Sequence, residues 1–193
     1  GDTRYDRVMA IAQQFTPIDA VVLFKGNSNV LIAGSTHSGD EEIILACFPT
    51  LPADWKLIIA PHEISTDHIS KLKEAFDGSA VLFSELDAEH TGADKKVLII
   101  NNIGMLSRLF AYGDIAFIGG GFQKGGIHNI LEPAAFAVPV IFGTIYEKFV
   151  EAKEMASLGY VFPVNNAAEC SAMLNKLITD EVFHKRTSDS LRS

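Results

Sequence analysis

The chain has 193 residues, of which 48% are hydrophobic and 21% are charged. This length fits one domain, or two small ones, and is ample for a sizeable core. The high hydrophobic fraction disfavours an intrinsically disordered protein, because disorder requires low hydrophobicity and high net charge. Sixteen Lys and Arg residues against 24 Asp and Glu residues give a net charge of -8. Nonspecific binding to duplex nucleic acid needs cations that neutralise phosphates, so this balance disfavours it.

Short apolar runs alternate with amphipathic stretches along the chain, and the pattern predicts strands and helices in alternation. The elements predicted in chain order are helix 4–14, strand 29–33, helix 38–48, strand 56–60, helix 65–76, strand 79–83, strand 97–100, helix 105–111, strand 115–118, helix 130–137, strand 138–142, helix 147–158, strand 160–162 and helix 167–178. The strand runs are continuously apolar, as in parallel sheets buried on both faces. We therefore predict an α/β domain with a Rossmann-like, doubly wound parallel sheet over residues 29–193, preceded by a lead-in segment over 1–28.

Other classes are disfavoured by simple counts. No apolar run reaches the roughly 18 residues of a membrane-spanning helix, and no signal peptide opens the chain. Cys47 and Cys170 lie far apart and outside any CxxC pair, which argues against a zinc site or a disulfide framework. The polar, helix-compatible end of the chain, TSDSLRS, suggests a piece of a longer protein.

The first candidate ligand contact is the turn AGSTHSGDEE (33–42), between a predicted strand and helix. Ser38 and Glu41 have the spacing of a capping box, which satisfies free amides at a helix start. Ser35 and His37 would lie near the carboxyl end of the strand, where ligands of such sheets bind. A well-capped loop without a ligand explains the same residues equally well.

The second candidate is a glycine-rich tract, with five glycines in eight positions from Gly119 to Gly126, followed by IHNILEP. It is neither a GxGxxG dinucleotide fingerprint nor a Walker A loop. Its free amides can hold an anion, Asn129 can cap the helix predicted from Ile130, and Glu132 can either complete the cap or bind ribose hydroxyls. Further candidate contacts in this segment are Gly120, Gly121, Lys124 and His128.

Two more turns complete the set. Pro61 and His62 follow the second predicted strand; the spacing of His62, Glu63, Asp67 and His68 matches no standard metal-ligand motif, and we predict no metal. Gly104 lies at the centre of the turn NNIGML. The four turns would meet at one edge of the sheet, which predicts a small ligand that carries phosphate.

The spaced motifs make the chain recognisable. GDTRYDRV at residues 1–8, AGSTHSGDEE, the Pro61 turn, NIGML, and GGGF leading through GGIHNILEP to Pro139 and Val140 all resemble the C-terminal half of 3-deoxy-D-manno-octulosonic acid (Kdo) transferases. The resemblance implies the donor-binding half of a two-domain GT-B glycosyltransferase. The preceding acceptor domain, which holds the membrane anchor and the catalytic base of the family, would lie outside this chain.

The resemblance also implies a site for the cytidine nucleotide of CMP-Kdo. The family contacts fall on three of the turns, at Pro61, His62, Ile103, Gly104, Met105, Asn129, Ile130, Leu131 and Glu132. The family usually has Arg where this chain has His62 and His where it has Glu63, so a permanent cation is missing from the expected anion site. No catalytic residue and no cofactor are expected in this chain.

The implied function is to bind CMP-Kdo for transfer of Kdo to a lipid A precursor in lipopolysaccharide biosynthesis. The full-length protein would be associated with the cytoplasmic face of the inner membrane, and this piece would be soluble and inactive by itself. Two alternatives remain: the donor domain of another GT-B enzyme that uses a UDP-sugar, and a noncatalytic nucleotide-binding module.

Overall fold

The computed structural model describes residues 3–193, with the backbone alone at residues 4 and 5. Within these residues, seven strands form one sheet in the order β3-β4-β2-β1-β5-β6-β7, and every neighbouring pair is parallel. The strands are β1 (Asn29–Thr36), β2 (Trp55–Pro61), β3 (Ala80–Leu82), β4 (Val97–Ile99), β5 (Ile115–Ile118), β6 (Val140–Phe142) and β7 (Val161–Pro163). The Rossmann-like, doubly wound parallel sheet predicted from the apolar runs is confirmed.

Helices cover both faces of this sheet. They are α1 (Thr3–Gln13), α2 (Asp19–Lys25), α3 (Ser38–Cys47), α4 (Thr66–Ala75), α5 (Leu106–Leu109), α6 (Leu131–Ala135), α7 (Val150–Ser157), α8 (Ala167–Thr179) and α9 (Glu181–Arg192). None of those in the described part of the chain has the length and apolar character that crossing a membrane requires.

Three predicted helices are shorter than expected. The helix predicted over 105–111 is α5 followed by a 3-10 turn over Phe110–Tyr112. The helix predicted over 147–158 begins only at Val150. The helix predicted over 130–137 spans only Leu131–Ala135, because the backbone turns left-handed at Ala137 (φ 56°) shortly before Pro139.

The core lies in two layers, one on each face of the sheet. Successive side chains of a strand point to opposite faces, so Leu31 and Ala33 pack with residues of α3, α4 and α8, whereas Val30 and Ile32 pack on the other side. The second layer also contains Val21 and Phe24 of α2. This helix was not among the predicted elements, although it lies within the expected lead-in segment.

The strand order creates a switch point at the middle of the sheet. β1 lies between β2 and β5, and the chain winds outward from β1 in both directions. In parallel sheets of this kind, a crevice opens at the carboxyl ends of the strands at such a point. The pairing of β1 with β2 shifts register between Gly34 and Thr36, and Ser35 between them has a left-handed backbone (φ 52°). The shift turns Ser35 out of the ladder at the mouth of the crevice.

Candidate functional site

A cleft of about 490 Å³ opens at the carboxyl ends of β1 and β5. Helix α1 and the segment around α5 form its other walls. Five residues predicted as ligand contacts line it, namely Ser35, Gly104, His128, Asn129 and Glu132. The remaining lining residues are Arg7, Val8, Ile11, Leu106, Ser107 and Ile118. Residues from three of the four predicted turns therefore meet in one cavity.

Close backbone packing brings the glycine loop, residues 119–126, to this cleft. The amide of Gly119 donates a hydrogen bond to the carbonyl of Gly34 at 2.9 Å. A Cβ atom on Gly121 would lie 2.5 Å from the backbone of Gly143. Gly120 has a left-handed backbone (φ 95°). Glycine is therefore required here for fit as well as for conformation.

The carboxylate of Asp40 ties this loop to the start of α3. Its Oδ2 atom accepts hydrogen bonds from the amides of His37 (2.8 Å) and Gly120 (2.9 Å). The expected capping pair of Ser38 and Glu41 is wrong by one residue. Helix α3 begins directly after His37, so the acid that binds the amide of the capping residue is Asp40. Burial raises the pKa of Asp40, and its Oδ1 atom is buried without a hydrogen-bond partner among the described residues.

Glu41 has a structural role instead. It is buried, accepts a hydrogen bond from Thr36 Oγ1 at 3.0 Å, and lies 3.0 Å from His68 Nε2. The group of histidines and acids noted after β2 is thus dispersed: Asp67 pairs with Lys71, and Glu63 accepts a hydrogen bond from Ser65. Ser65 also accepts a hydrogen bond from the amide of His68 and so caps the start of α4.

Three histidines from three turns meet beside the cleft. His37 Nε2 lies 2.8 Å from His128 Nε2, and the ring of His62 lies 4.6 Å and 5.0 Å from the rings of His37 and His128 between centroids. Burial lowers the pKa of His37, with the charge of His62 next in importance. Burial followed by the charges of His37 and His62 lowers the pKa of His128. These two half-buried rings therefore favour the neutral imidazole form.

Glu132 is a half-buried residue that lines the cleft. Burial raises its pKa, while a hydrogen bond with Asn129 and the positive charge of Arg7 act in the other direction. Helix α6 begins at Leu131, one residue later than predicted, and Asn129 Oδ1 accepts a hydrogen bond from the Leu131 amide at 2.9 Å. A carboxylate, an amide and a guanidinium thus face the same cavity.

The other predicted contacts lie in different surroundings. Pro61 ends β2, and the side chains of Met105, Ile130 and Leu131 are buried. The side chain of Ile103 is 87% exposed. Lys124 is exposed and is not among the residues that line the cleft. For these residues only backbone contacts with a ligand, or contacts at the rim, remain as predictions.

Sequence reasoning missed the contribution of α1. Arg7, Val8 and Ile11 line the cleft, and none of them was predicted as a site residue. The motif GDTRYDRV was the available signal, since it includes Arg7 and Val8. Its first two residues, Gly1 and Asp2, lie outside the described residues.

Sequence comparisons identify relatives of this chain, although no protein-family model matches it. The 3-deoxy-D-manno-octulosonic acid transferase of Aquifex aeolicus is 33% identical over 153 residues, which cover 77% of this chain and 42% of that protein. The enzyme of the same name from Haemophilus influenzae is 33% identical over 177 residues, or 88% of this chain and 40% of that protein. A bifunctional glycosyltransferase/methyltransferase of Fusobacterium nucleatum is 33% identical over 148 residues, which cover 75% of this chain and 23% of that protein. The chain thus spans less than half the length of these curated relatives.

Solved structures share the fold. The C-terminal CMP-Kdo binding domain of WaaA from Acinetobacter baumannii superposes with a TM-score of 0.76 at 22% identity, covering 97% of this chain and 99% of that one. Anabaena HepE in complex with UDP-glucose gives a TM-score of 0.63 at 16% identity, covering 94% of this chain and 49% of that one. WaaG, a glycosyltransferase involved in lipopolysaccharide biosynthesis, gives a TM-score of 0.60 at 14% identity, covering 94% of this chain and 47% of that one.

The comparisons confirm the resemblance predicted from the spaced motifs. The sequence matches extend over three quarters or more of the chain, and the structural matches reproduce the parallel sheet at nearly full coverage. The chain is a relative of the 3-deoxy-D-manno-octulosonic acid transferases and has the Rossmann-like fold of GT-B glycosyltransferases.

Proposed function

We propose that the chain is the donor-binding domain of a Kdo transferase, which moves Kdo from CMP-Kdo to a lipid A precursor. The observation that carries the proposal is the meeting of Ser35, Gly104, His128, Asn129 and Glu132 in one cleft at the switch point of the sheet. Ligands of open α/β sheets bind at this place. The sequence relationship to enzymes of that name supports the choice of donor.

The cleft offers the groups that a nucleotide requires. The Glu132 carboxylate accepts hydrogen bonds from ribose hydroxyls, and Asn129 beside it donates and accepts further ones. Gly104 has a left-handed backbone (φ 98°) with open space where a side chain would be, so its turn can approach a ligand closely. Arg7 of α1 also lines the cleft and supplies a permanent positive charge for a phosphate.

These groups suit a transfer in which CMP departs. As the bond between Kdo and CMP breaks, negative charge grows on the departing phosphate, and a guanidinium and backbone amides stabilise that charge. The base that activates the acceptor would come from the acceptor domain of the full-length enzyme. In our proposal, that domain also binds the lipid A precursor and places the enzyme on the cytoplasmic face of the inner membrane.

Calorimetric titration of the chain with CMP and with UMP tests the proposal. We expect CMP to bind more tightly than UMP, and Glu132→Ala to weaken CMP binding by about 1–3 kcal/mol, since the variant loses a half-buried polar partner of the ligand. Glu181→Ala is the matched control, because Glu181 is also an acid in the first turn of a helix but is exposed. Melting temperatures of both variants separate lost contacts from lost stability.

Two outcomes would contradict the proposal. Tighter binding of UMP than of CMP would instead identify the donor domain of a GT-B enzyme that uses a UDP-sugar. Equal CMP affinity of Glu132→Ala and the unchanged chain, with a lowered melting temperature, would reduce Glu132 to a structural group.

A further inference from the structure

We propose that His37, His62 and His128 form a binding site for a divalent transition metal, with Zn²⁺ as the expected ion. The proposal goes beyond nucleotide binding and does not depend on it. Each histidine offers one ring nitrogen, and these three atoms all lie within 4.8 Å of one another. Three histidines with one open position are a recurrent coordination set for zinc in proteins.

The backbone of each histidine is fixed by a separate hydrogen bond. The amide of His37 donates to Asp40 Oδ2 at 2.8 Å, that of His62 to the carbonyl of Thr36 at 2.9 Å, and that of His128 to the carbonyl of Gly119 at 3.0 Å. The three side chains therefore start from positions that the sheet edge itself defines. Preorganised ligands of this kind leave little ordering to be done when an ion binds.

The spacing of the ring nitrogens is close to what zinc requires. Zn–N bonds of about 2.0–2.1 Å in a tetrahedral arrangement place ligand nitrogens about 3.3 Å apart. His37 Nε2 and His128 Nε2 lie 2.8 Å apart and must separate slightly to bind one ion. The ring nitrogen of His62 must move closer to these two atoms. His62 is exposed, so its ring can rotate without disturbing the core.

The contact between the half-buried rings of His37 and His128 also has chemistry that suits a metal ion. Two ring nitrogens at 2.8 Å can share only one proton, so at least one of them presents a lone pair to the other. A metal ion can replace the shared proton and bind both nitrogens. The side-chain amide nitrogen of Gln123 lies 3.1 Å from the same His37 Nε2 atom, and a bound ion would displace this contact.

The surrounding charges favour a cation. Apart from His62, the charged groups that act on the pKa of His37 are the carboxylates of Asp40 and Glu41. Imidazole ligands select zinc, cobalt, nickel or copper over magnesium and calcium, which prefer oxygen ligands. Since His128 also lines the cleft, the fourth position of the ion would be available to water or to an oxygen of a ligand bound there.

Metal titration of the untagged chain, stripped with a chelator and then dialysed, tests the site without nucleotide. We expect one Zn²⁺ per chain in competition with a chromophoric chelator, no displacement by excess Mg²⁺, and visible absorption typical of tetrahedral coordination when Co²⁺ is used. His62→Ala should weaken Zn²⁺ binding at least about 100-fold, because even loss of an outer partner of a ligand costs up to this factor.

His90→Ala is the matched control, because His90 lies in an exposed loop and pairs with Asp87. Its Zn²⁺ affinity and Co²⁺ spectrum should equal those of the unchanged chain. Unfolding curves should show that His62→Ala keeps its fold, as expected for an exposed side chain. Absence of competitive Zn²⁺ binding, or equal Zn²⁺ affinity of His62→Ala and the unchanged chain, would overturn the proposal.

Discussion

Two carboxylates near the cleft, those of Asp40 and Glu132, are withdrawn from water by different arrangements. Asp40 is held by two backbone amides, whereas Glu132 contacts Asn129 and lies within the influence of Arg7. Burial raises the pKa of both. The folded state therefore opposes ionisation at the same groups that organise the site, and this opposition must appear in the pH dependence of stability.

Glu132→Gln provides a test of this effect. A carboxyl whose folded-state pKa is raised contributes stability that is fully present below its unfolded pKa, about 4.3 for Glu, and is lost as pH rises through the folded pKa. Gln cannot ionise, so we expect the stability of Glu132→Gln relative to the unchanged chain to increase from pH 4 to pH 7. Denaturant unfolding in metal-free buffer at several pH values measures it.

Glu181→Gln serves as the control for the same series, because it also removes one carboxylate from the first turn of a helix but at an exposed position. If the stability difference between Glu132→Gln and the unchanged chain stayed constant from pH 4 to pH 7, burial of Glu132 would have no effect on its ionisation.

The glycine loop between β5 and α6 depends on close packing at particular positions. Gly121→Ala should lower the free energy of unfolding by about 1–3 kcal/mol or more, because its Cβ would lie 2.5 Å from the backbone of Gly143, which cannot move as a flexible side chain would. Gly125→Ala is the control in the same loop, since the nearest atom to its Cβ would be Gln123 Nε2 at 3.7 Å. Chemical denaturation of both variants measures the difference, and equal losses would contradict the packing argument.

Local patterns predicted the strands better than the helix ends. Each strand contains a continuous apolar run, and burial on both faces leaves little ambiguity in such a run. Helix α2 was missed because it has seven residues, no side-chain cap at Ile18, and two buried positions, Val21 and Phe24. The predicted cap of α3 was one residue too late because three acids follow Gly39, and which of them reaches a free amide depends on where the helix begins.

Strand order explains what could be predicted of the site and what could not. The sequence predicts that the turns after β1, β2 and β5 share one edge, since all the strands are parallel. Contact among His37, His62 and His128 also requires that β1 lie between β2 and β5. No local pattern contains this order, so the histidines were predicted only as separate ligand contacts. The same applies to Arg7, whose helix reaches the cleft through tertiary packing alone.

The whole molecule carries a net charge of -8, and the anion site that we propose must work against that charge. Lys124 was predicted as a contact of the site, yet Arg7 is the cation that lines the cleft among the residues whose side chains are described. Arg7 belongs to the segment over 1–28, which we predicted to be a lead-in outside the domain over 29–193. The position of Arg7 in the cleft and the burial of Phe24 both argue that this segment contributes to the folded unit.

Phe24→Ala tests how firmly the segment belongs to that unit. The ring of Phe24 is 0% exposed, lies 4.4 Å from Lys56 Nζ, and packs in the same core layer as β1. Its removal should lower the free energy of unfolding by about 3–5 kcal/mol, as for other buried aromatic side chains. Leu23→Ala is the adjacent control: Leu23 is 49% exposed, and its loss should cost less than about 1 kcal/mol.

Denaturant unfolding followed by both fluorescence and circular dichroism measures the two variants. Similar losses for Phe24→Ala and Leu23→Ala would show that α2 is attached to the domain without stabilising it, whereas the expected difference makes α2 a part of the cooperative core.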